Sequence, residues 1–169
     1  MSRISLTLIL TLILSVFASA QYRLKVGSAA PAFAGTALDG TRYDSKELRG
    51  KVVVVVFWST RCAICHREIP NLNRFAAKYG GDRVVLLALS MENEEKIETY
   101  LRSNPFDFHI LPNSLGTLLK FADQDRNGNL DMGFPSFYVI DQDGVVQYRG
   151  SGYDKTRPLE AAVSGLLAK

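Results

Sequence analysis

An α/β domain whose sheet is covered by helices on both faces is the fold the sequence predicts. Three observations predict it. The run KVVVVVFW, residues 51–58, is nearly unbroken in β-branched and aromatic side chains, the signature of a strand buried on both faces. Strand-like and helix-like stretches alternate after it. The chain then closes with a hairpin and an amphipathic helix, which completes one layered α/β unit.

Each element follows in order. Residues 24–50 hold two short extended pieces around the turn Asp39-Gly40. After the strand at 51–58, residues 62–79 read as a helix. Ile69, Leu72, Phe75, Ala76 and Tyr79 recur at helical spacing, and Gly80-Gly81 stops it. Pro70 lies inside and is expected to kink it. Residues 84–89 are a second buried strand. Residues 93–102 read as a helix with Glu94, Glu95 and Glu98 on its wet face, and Pro105 beyond its end. A short strand is expected at 106–111 and a short helix at 114–121. Residues 137–140 and 145–148 form a hairpin across Asp141-Gln142-Asp143-Gly144. The final helix starts at Thr156 and runs to Leu167.

Residues 1–20 have the form of an export signal. Arg3 supplies a basic start, ISLTLILTLILSVF an apolar core, and Ala18-Ser19-Ala20 a small-x-small cleavage site. The apolar run is short for a membrane span. The expectation is a cleavable signal over 1–20, one domain over 21–169, and a mature form that does not span a membrane, in the periplasm or another extracytoplasmic space. The net charge of +3 comes from scattered residues with no basic block, so nucleic acid is a poor partner.

The chemistry concentrates at Cys62 and Cys65, the only cysteines in the chain. A strand that delivers a C-x-x-C pair to the start of a helix positions a reactive dithiol. A structural staple is the bland alternative, yet so small a loop restrains little chain entropy. Cys62 is expected at or just before the first helical turn, where free amide hydrogens and the positive helix end favour a thiolate. Cys65 lies about one turn further in and is more shielded. The economical assignment is Cys62 as nucleophile and Cys65 as resolving thiol. Glu68, three residues after Cys65, falls on the same helical side. A carboxyl there could shuttle a proton or oppose ionisation of Cys65, or simply face water. His66 and Arg61 could favour the thiolate or contact a partner.

FWSTRCAICHREIP resembles the active-site segment of the thioredoxin-like superfamily. It is most similar to the extracytoplasmic thiol-disulfide reductase branch associated with cytochrome c maturation. GFPSFYVIDQDGVVQYRG resembles that branch's loop, strand, turn and strand, and VGSAAPAF its N-terminal extension. The resemblance implies a thioredoxin-like α/β fold with a central mixed sheet and an N-terminal β extension. It implies that Cys62 attacks, that Cys65 resolves, that Glu68 tunes the pair, and that Pro135 has a cis peptide bond facing the dithiol. Trp58, Arg61, His66 and Phe134 are expected to face substrate. Many relatives carry a buried aspartate where this chain has Val56, which leaves Glu68 as the carboxylate for proton handling. Arg61 replaces the usual tryptophan or uncharged residue, and Ser136 the usual threonine. The implied activity is protein disulfide reduction; oxidation or isomerisation uses the same thiols. No nicotinamide or flavin motif is present and no cofactor is expected, so electrons must arrive from another protein's dithiol, a membrane or periplasmic donor.

Other readings compete. CAICH also fits covalent haem attachment, with His66 as iron ligand. A peroxiredoxin-type peroxidase would need proline and threonine ahead of its cysteine, and VVFWSTRC lacks the proline. Zinc would need more soft ligands than Cys62, Cys65, His66 and the distant His109 supply. A binding module that has kept the scaffold is argued against by the intact cysteine pair. Asp123, Asp125, Asn127, Asn129 and Asp131, with Gly128 among them, resemble the first part of a calcium loop, but Phe134 stands where its glutamate would. A polar surface turn is the alternative.

Overall fold

The computed structural model describes residues 23–168. The expected export signal lies outside the described residues. A small antiparallel hairpin comes first, β1 (Ala34–Thr36) and β2 (Arg42–Asp44). The main chain of elements is β3 (Val52–Phe57), α1 (Ala63–Tyr79), β4 (Val84–Leu89), α2 (Glu94–Leu101), β5 (His109–Leu111) and α3 (Leu115–Phe121). A two-residue hairpin follows, β6 (Asp123–Gln124) and β7 (Leu130–Asp131). Then come β8 (Ser136–Ile140), β9 (Val146–Ser151) and α4 (Thr156–Leu167).

The main sheet has the order β5-β4-β3-β8-β9. β3 runs parallel to β4, β4 parallel to β5, and the β3–β8 and β8–β9 pairs are antiparallel. The sheet is therefore mixed. β3 lies at its centre because every residue from Val52 to Phe57 is buried, so both faces need cover. Strand alternation divides that cover. Val52, Val54 and Val56 meet Leu72 and Phe75 of α1, Ile97 of α2, and Leu159 and Val163 of α4. Val53, Val55 and Phe57 meet Leu118 and Phe121 of α3, with Phe33 and Tyr43 of the N-terminal segment.

The register positions the functional end. Phe57, the last residue of β3, pairs with Ser136, the first of β8. The loop leaving β3 toward Cys62 therefore emerges beside the loop that carries Pro135. Helix α1 runs as one element from Ala63 to Tyr79 through Pro70, and the Gly80 N–H closes its end on the Ala76 carbonyl at 2.8 Å.

Two elements differ from expectation. The strand at 106–111 shortens to His109–Leu111. Asn73 of α1 takes the backbone ahead of it: its amide donates to the Pro105 carbonyl at 2.8 Å and its carbonyl accepts the Asp107 N–H at 2.9 Å. Those groups go to a side chain rather than to a ladder, while Phe106 and Phe108 turn into the core. Residues 123–131 form a polar turn closed by a two-residue hairpin, whose strands the sequence did not mark. Asp125 folds it by accepting the N–H groups of Asn127 and Asn129 at 2.7 and 2.9 Å.

Candidate active site

Cys62 is the N-cap of α1. Its backbone is extended, and its sulfur accepts the Cys65 N–H at 3.1 Å. That amide is one of the orphan donors every helix start presents, and it sits at the positive end of the helix dipole. The two sulfurs are joined as a disulfide across a Cα–Cα distance of 5.2 Å. Cys62 is half-buried, whereas Cys65 is only 2 % exposed and belongs to the apolar cluster under the sheet. A partner can therefore reach the first sulfur and not the second. Reactivity at Cys62 with protection at Cys65 is the chemical asymmetry a dithiol exchange needs.

Glu68 is fully buried one turn beyond Cys65. Its two oxygens accept the Asp154 N–H at 3.0 Å and the Thr156 hydroxyl at 3.4 Å. The loop after β9 and the first residue of α4 thus satisfy the carboxyl from outside its own helix. Asp154 adopts a left-handed backbone, φ 56°, while donating that bond. The sequence marks Thr156 only as the start of the last helix and gives Asp154 no signal.

The Phe134–Pro135 peptide bond is cis. Pro135 is buried, and Phe134 is half-buried against the core on both sides of the sheet. The Ser136 hydroxyl donates to the Gly133 carbonyl at 2.6 Å, and Gly152 N–H to the Pro135 carbonyl at 2.9 Å, so this loop is tied at both ends.

The residues expected to face substrate divide. Arg61 extends into solvent. His66 is exposed, but its ring is engaged: Nε2 lies 2.8 Å from the Thr60 carbonyl and the ring stacks on Tyr100. Trp58 corrects the expectation. It is 1 % exposed, packed edge-on against Phe106 and tilted on Tyr100, on the same side of β3 as Val54 and Val56. It forms the floor of the site rather than its face.

A further residue near the site was missed. Glu92, in the loop between β4 and α2, has a side chain only 9 % exposed and reaches the loop before Cys62. It accepts the Thr60 N–H at 2.7 Å and the Thr60 hydroxyl at 2.9 Å, and pairs with Lys96. Burial alone would push its carboxyl up. The Lys96 ammonium and the two Thr60 donors outweigh burial and hold it at about 2. The sequence carries one signal for it, the Glu92–Lys96 spacing of four.

The side chains weighed as metal ligands have other partners in the described residues. Asp123 forms a two-pronged ion pair with Arg149 of β9, at 3.0 and 2.8 Å. Asp125 spends both oxygens on its own turn, and the Asn129 amide holds its carboxyl below the usual carboxylate range. His109 sits on β5 beside Asp39 and Tyr43. Among the described residues no three His, Cys, Asp or Glu side chains are grouped to hold a metal ion. The two cysteines are bonded to each other, and the His66 ring lies against the Thr60 carbonyl.

The profile of the redoxin family matches residues 25–167. The thiol-disulfide oxidoreductase ResA of Bacillus cereus is 30 % identical over 82 % of this chain and 76 % of its own length. ResA of Geobacillus kaustophilus is 31 % identical over 72 % of this chain and 67 % of its own. Among solved structures, a thiol:disulfide interchange protein of the thioredoxin family from Chlorobium tepidum superposes with a TM-score of 0.68 at 22 % identity, covering 85 % of this chain and 98 % of its own. That likeness carries the fold. The fold, the N-capping cysteine and these relatives agree: the chain belongs to the redoxin family of the thioredoxin-like superfamily and is a thiol-disulfide oxidoreductase of the ResA type with a C-x-x-C centre.

Proposed function

We propose that the protein reduces disulfides in other proteins outside the cytoplasm. The observation that carries this reading is the unequal exposure of two sulfurs at one helix start, Cys62 half-buried and Cys65 buried. In the reduced protein the Cys62 thiolate attacks one sulfur of a partner disulfide. A Cys62–partner bond forms, and the partner's other sulfur leaves as a thiolate that takes a proton. Cys65, as thiolate, then attacks the Cys62 sulfur. The intramolecular disulfide forms and the partner's second thiol leaves. Two electrons pass from the Cys62/Cys65 pair to the partner. Another protein's dithiol returns the chain to its reduced state by the same exchange in reverse.

Glu68 receives the Cys65 proton in this scheme, and its anchoring by Asp154 and Thr156 supports a fixed position for it. Phe134 and Pro135 present backbone and an apolar edge to the partner, beside exposed Arg61. An extracytoplasmic location rests on the form of residues 1–20. Among the described residues no helix is long and apolar enough to cross a membrane.

The test is reduction of insulin with an artificial dithiol donor. Cys62→Ser abolishes turnover, and Cys65→Ser accumulates a mixed disulfide with the partner. Retained turnover in Cys62→Ser overturns the assignment. A titration against glutathione that places the couple among strong oxidants overturns the reductive direction.

A further inference from the structure

We propose that Glu92 is a positioning residue for the nucleophile, clamping Thr60 so that the loop from β3 holds the Cys62 sulfur on the helix start. The inference rests on the reading of Cys62 as the attacking sulfur.

The geometry of Thr60 is the basis. Its N–H and its hydroxyl both go to Glu92, and its carbonyl goes to the His66 ring. All its polar groups are engaged, from two different elements. Glu92 is itself fixed. Its N–H donates to the Ser90 hydroxyl at 3.2 Å, and its carbonyl accepts the Asn113 N–H at 2.9 Å. The remaining turn is short: Cys62 N–H donates to the Ser59 carbonyl at 3.1 Å, and Arg61 N–H to the Ser59 hydroxyl at 3.2 Å. A loop of four residues, Trp58 to Arg61, thus hangs between the end of the central strand and the cap residue, with Glu92 gripping Thr60 near its far end. Thiolate stabilisation by the Cys65 N–H depends on the placement this grip maintains.

The sign of the effect separates positioning from simple charge. The charged groups facing Glu92 are Lys96 from α2 and Arg61 from the loop, and His66 of α1 reaches Thr60 from the other side. Removing a carboxylate and leaving Lys96 and Arg61 makes the surroundings more positive. Coulomb attraction alone would then ease Cys62 ionisation. Loss of placement does the opposite.

The test measures the rate of Cys62 alkylation against pH in reduced protein carrying Cys65→Ser, with and without Glu92→Ala. The midpoint rises by about half to one pH unit, which slows alkylation about 3- to 10-fold below the midpoint, where rate follows the thiolate fraction. Glu92→Gln, which keeps an acceptor for Thr60, restores most of the rate. An unchanged midpoint with a lowered melting temperature makes Glu92 a structural support only, and a lowered midpoint makes it a charge effect; either overturns the proposal. Should Glu92→Ala not fold, Thr60→Val removes one bond of the clamp and raises the midpoint by a smaller amount, and no rise there overturns the proposal equally. If the reduced native chain is alkylated at Cys65 in place of Cys62, the nucleophile assignment fails instead, so the two failures are distinct.

Discussion

Glu92 makes the stability of the fold depend on pH in a way that can be worked out in advance. Its carboxyl titrates at about 2 in the folded protein, against 4.5 for an ordinary glutamate. That depression corresponds to about 3 kcal/mol favouring the folded state when the group is charged. Because the folded value is the lower one, the contribution is fully present above about pH 4.5 and is lost as pH falls toward 2. Glu92→Gln removes the charge and the Lys96 pair but keeps an acceptor for Thr60. The expected deficit relative to the native chain at neutral pH is therefore about 2 kcal/mol, somewhat below the full value. Urea unfolding of the oxidised protein at a series of pH values measures it, since urea leaves charge interactions unscreened. The deficit holds from neutral pH down to about 5 and closes across the acid range, while all other carboxylates titrate alike in both proteins and cancel. A deficit that stays constant to pH 2, or that widens on acidification, refutes the electrostatic origin of the clamp.

Other expectations address separate parts of the molecule. Glu68→Gln lengthens the lifetime of the Cys62–partner mixed disulfide on the order of 10²-fold, while Cys62 alkylation is unchanged; stopped-flow resolution of a trapped complex reads both. Trp58→Phe costs about 1–2 kcal/mol in a denaturation curve and leaves turnover intact, because the indole is buried and its N–H has no hydrogen-bond partner among the described residues. Asp123→Ala strips the carboxylate partner from Arg149, whose side chain is one-third exposed and keeps its bond to the Leu24 carbonyl, and costs about 2 kcal/mol, between the values for buried and surface pairs. At this domain size that lowers the melting temperature by about 6 °C.

Much of this architecture is written locally. The valine run that becomes β3 and the apolar spacing of α1 are decided by residues within one element, and both elements lie close to where periodicity put them. Cys62 as the cap also follows from local order, since the strand must end before the helix begins. The cis bond before Pro135 came from family resemblance, because an X-Pro peptide takes its isomer from its surroundings. What the local sequence did not show depends on contacts distant in sequence. Glu92 meets Thr60 across 32 residues, and nothing near either one marks the pairing. The pairing of Asp123 with Arg149, 26 residues on, is equally unmarked in the local sequence, which offered Asp123 only to a calcium loop or a polar turn. Asn73 takes backbone that would otherwise extend β5. Trp58 is a different kind of error, because alternation along β3 already puts it on the face of Val54 and Val56, inside the core.

The account stands on inequality between two neighbouring sulfurs, and mass mapping of alkylated sites in the reduced native chain measures that inequality directly. With limiting iodoacetamide at neutral pH, label collects on Cys62, with a titration midpoint below the roughly 8.5 of a free thiol, while Cys65 stays unlabelled until the protein is unfolded. Equal labelling of both, or labelling of Cys65 first, contradicts the account.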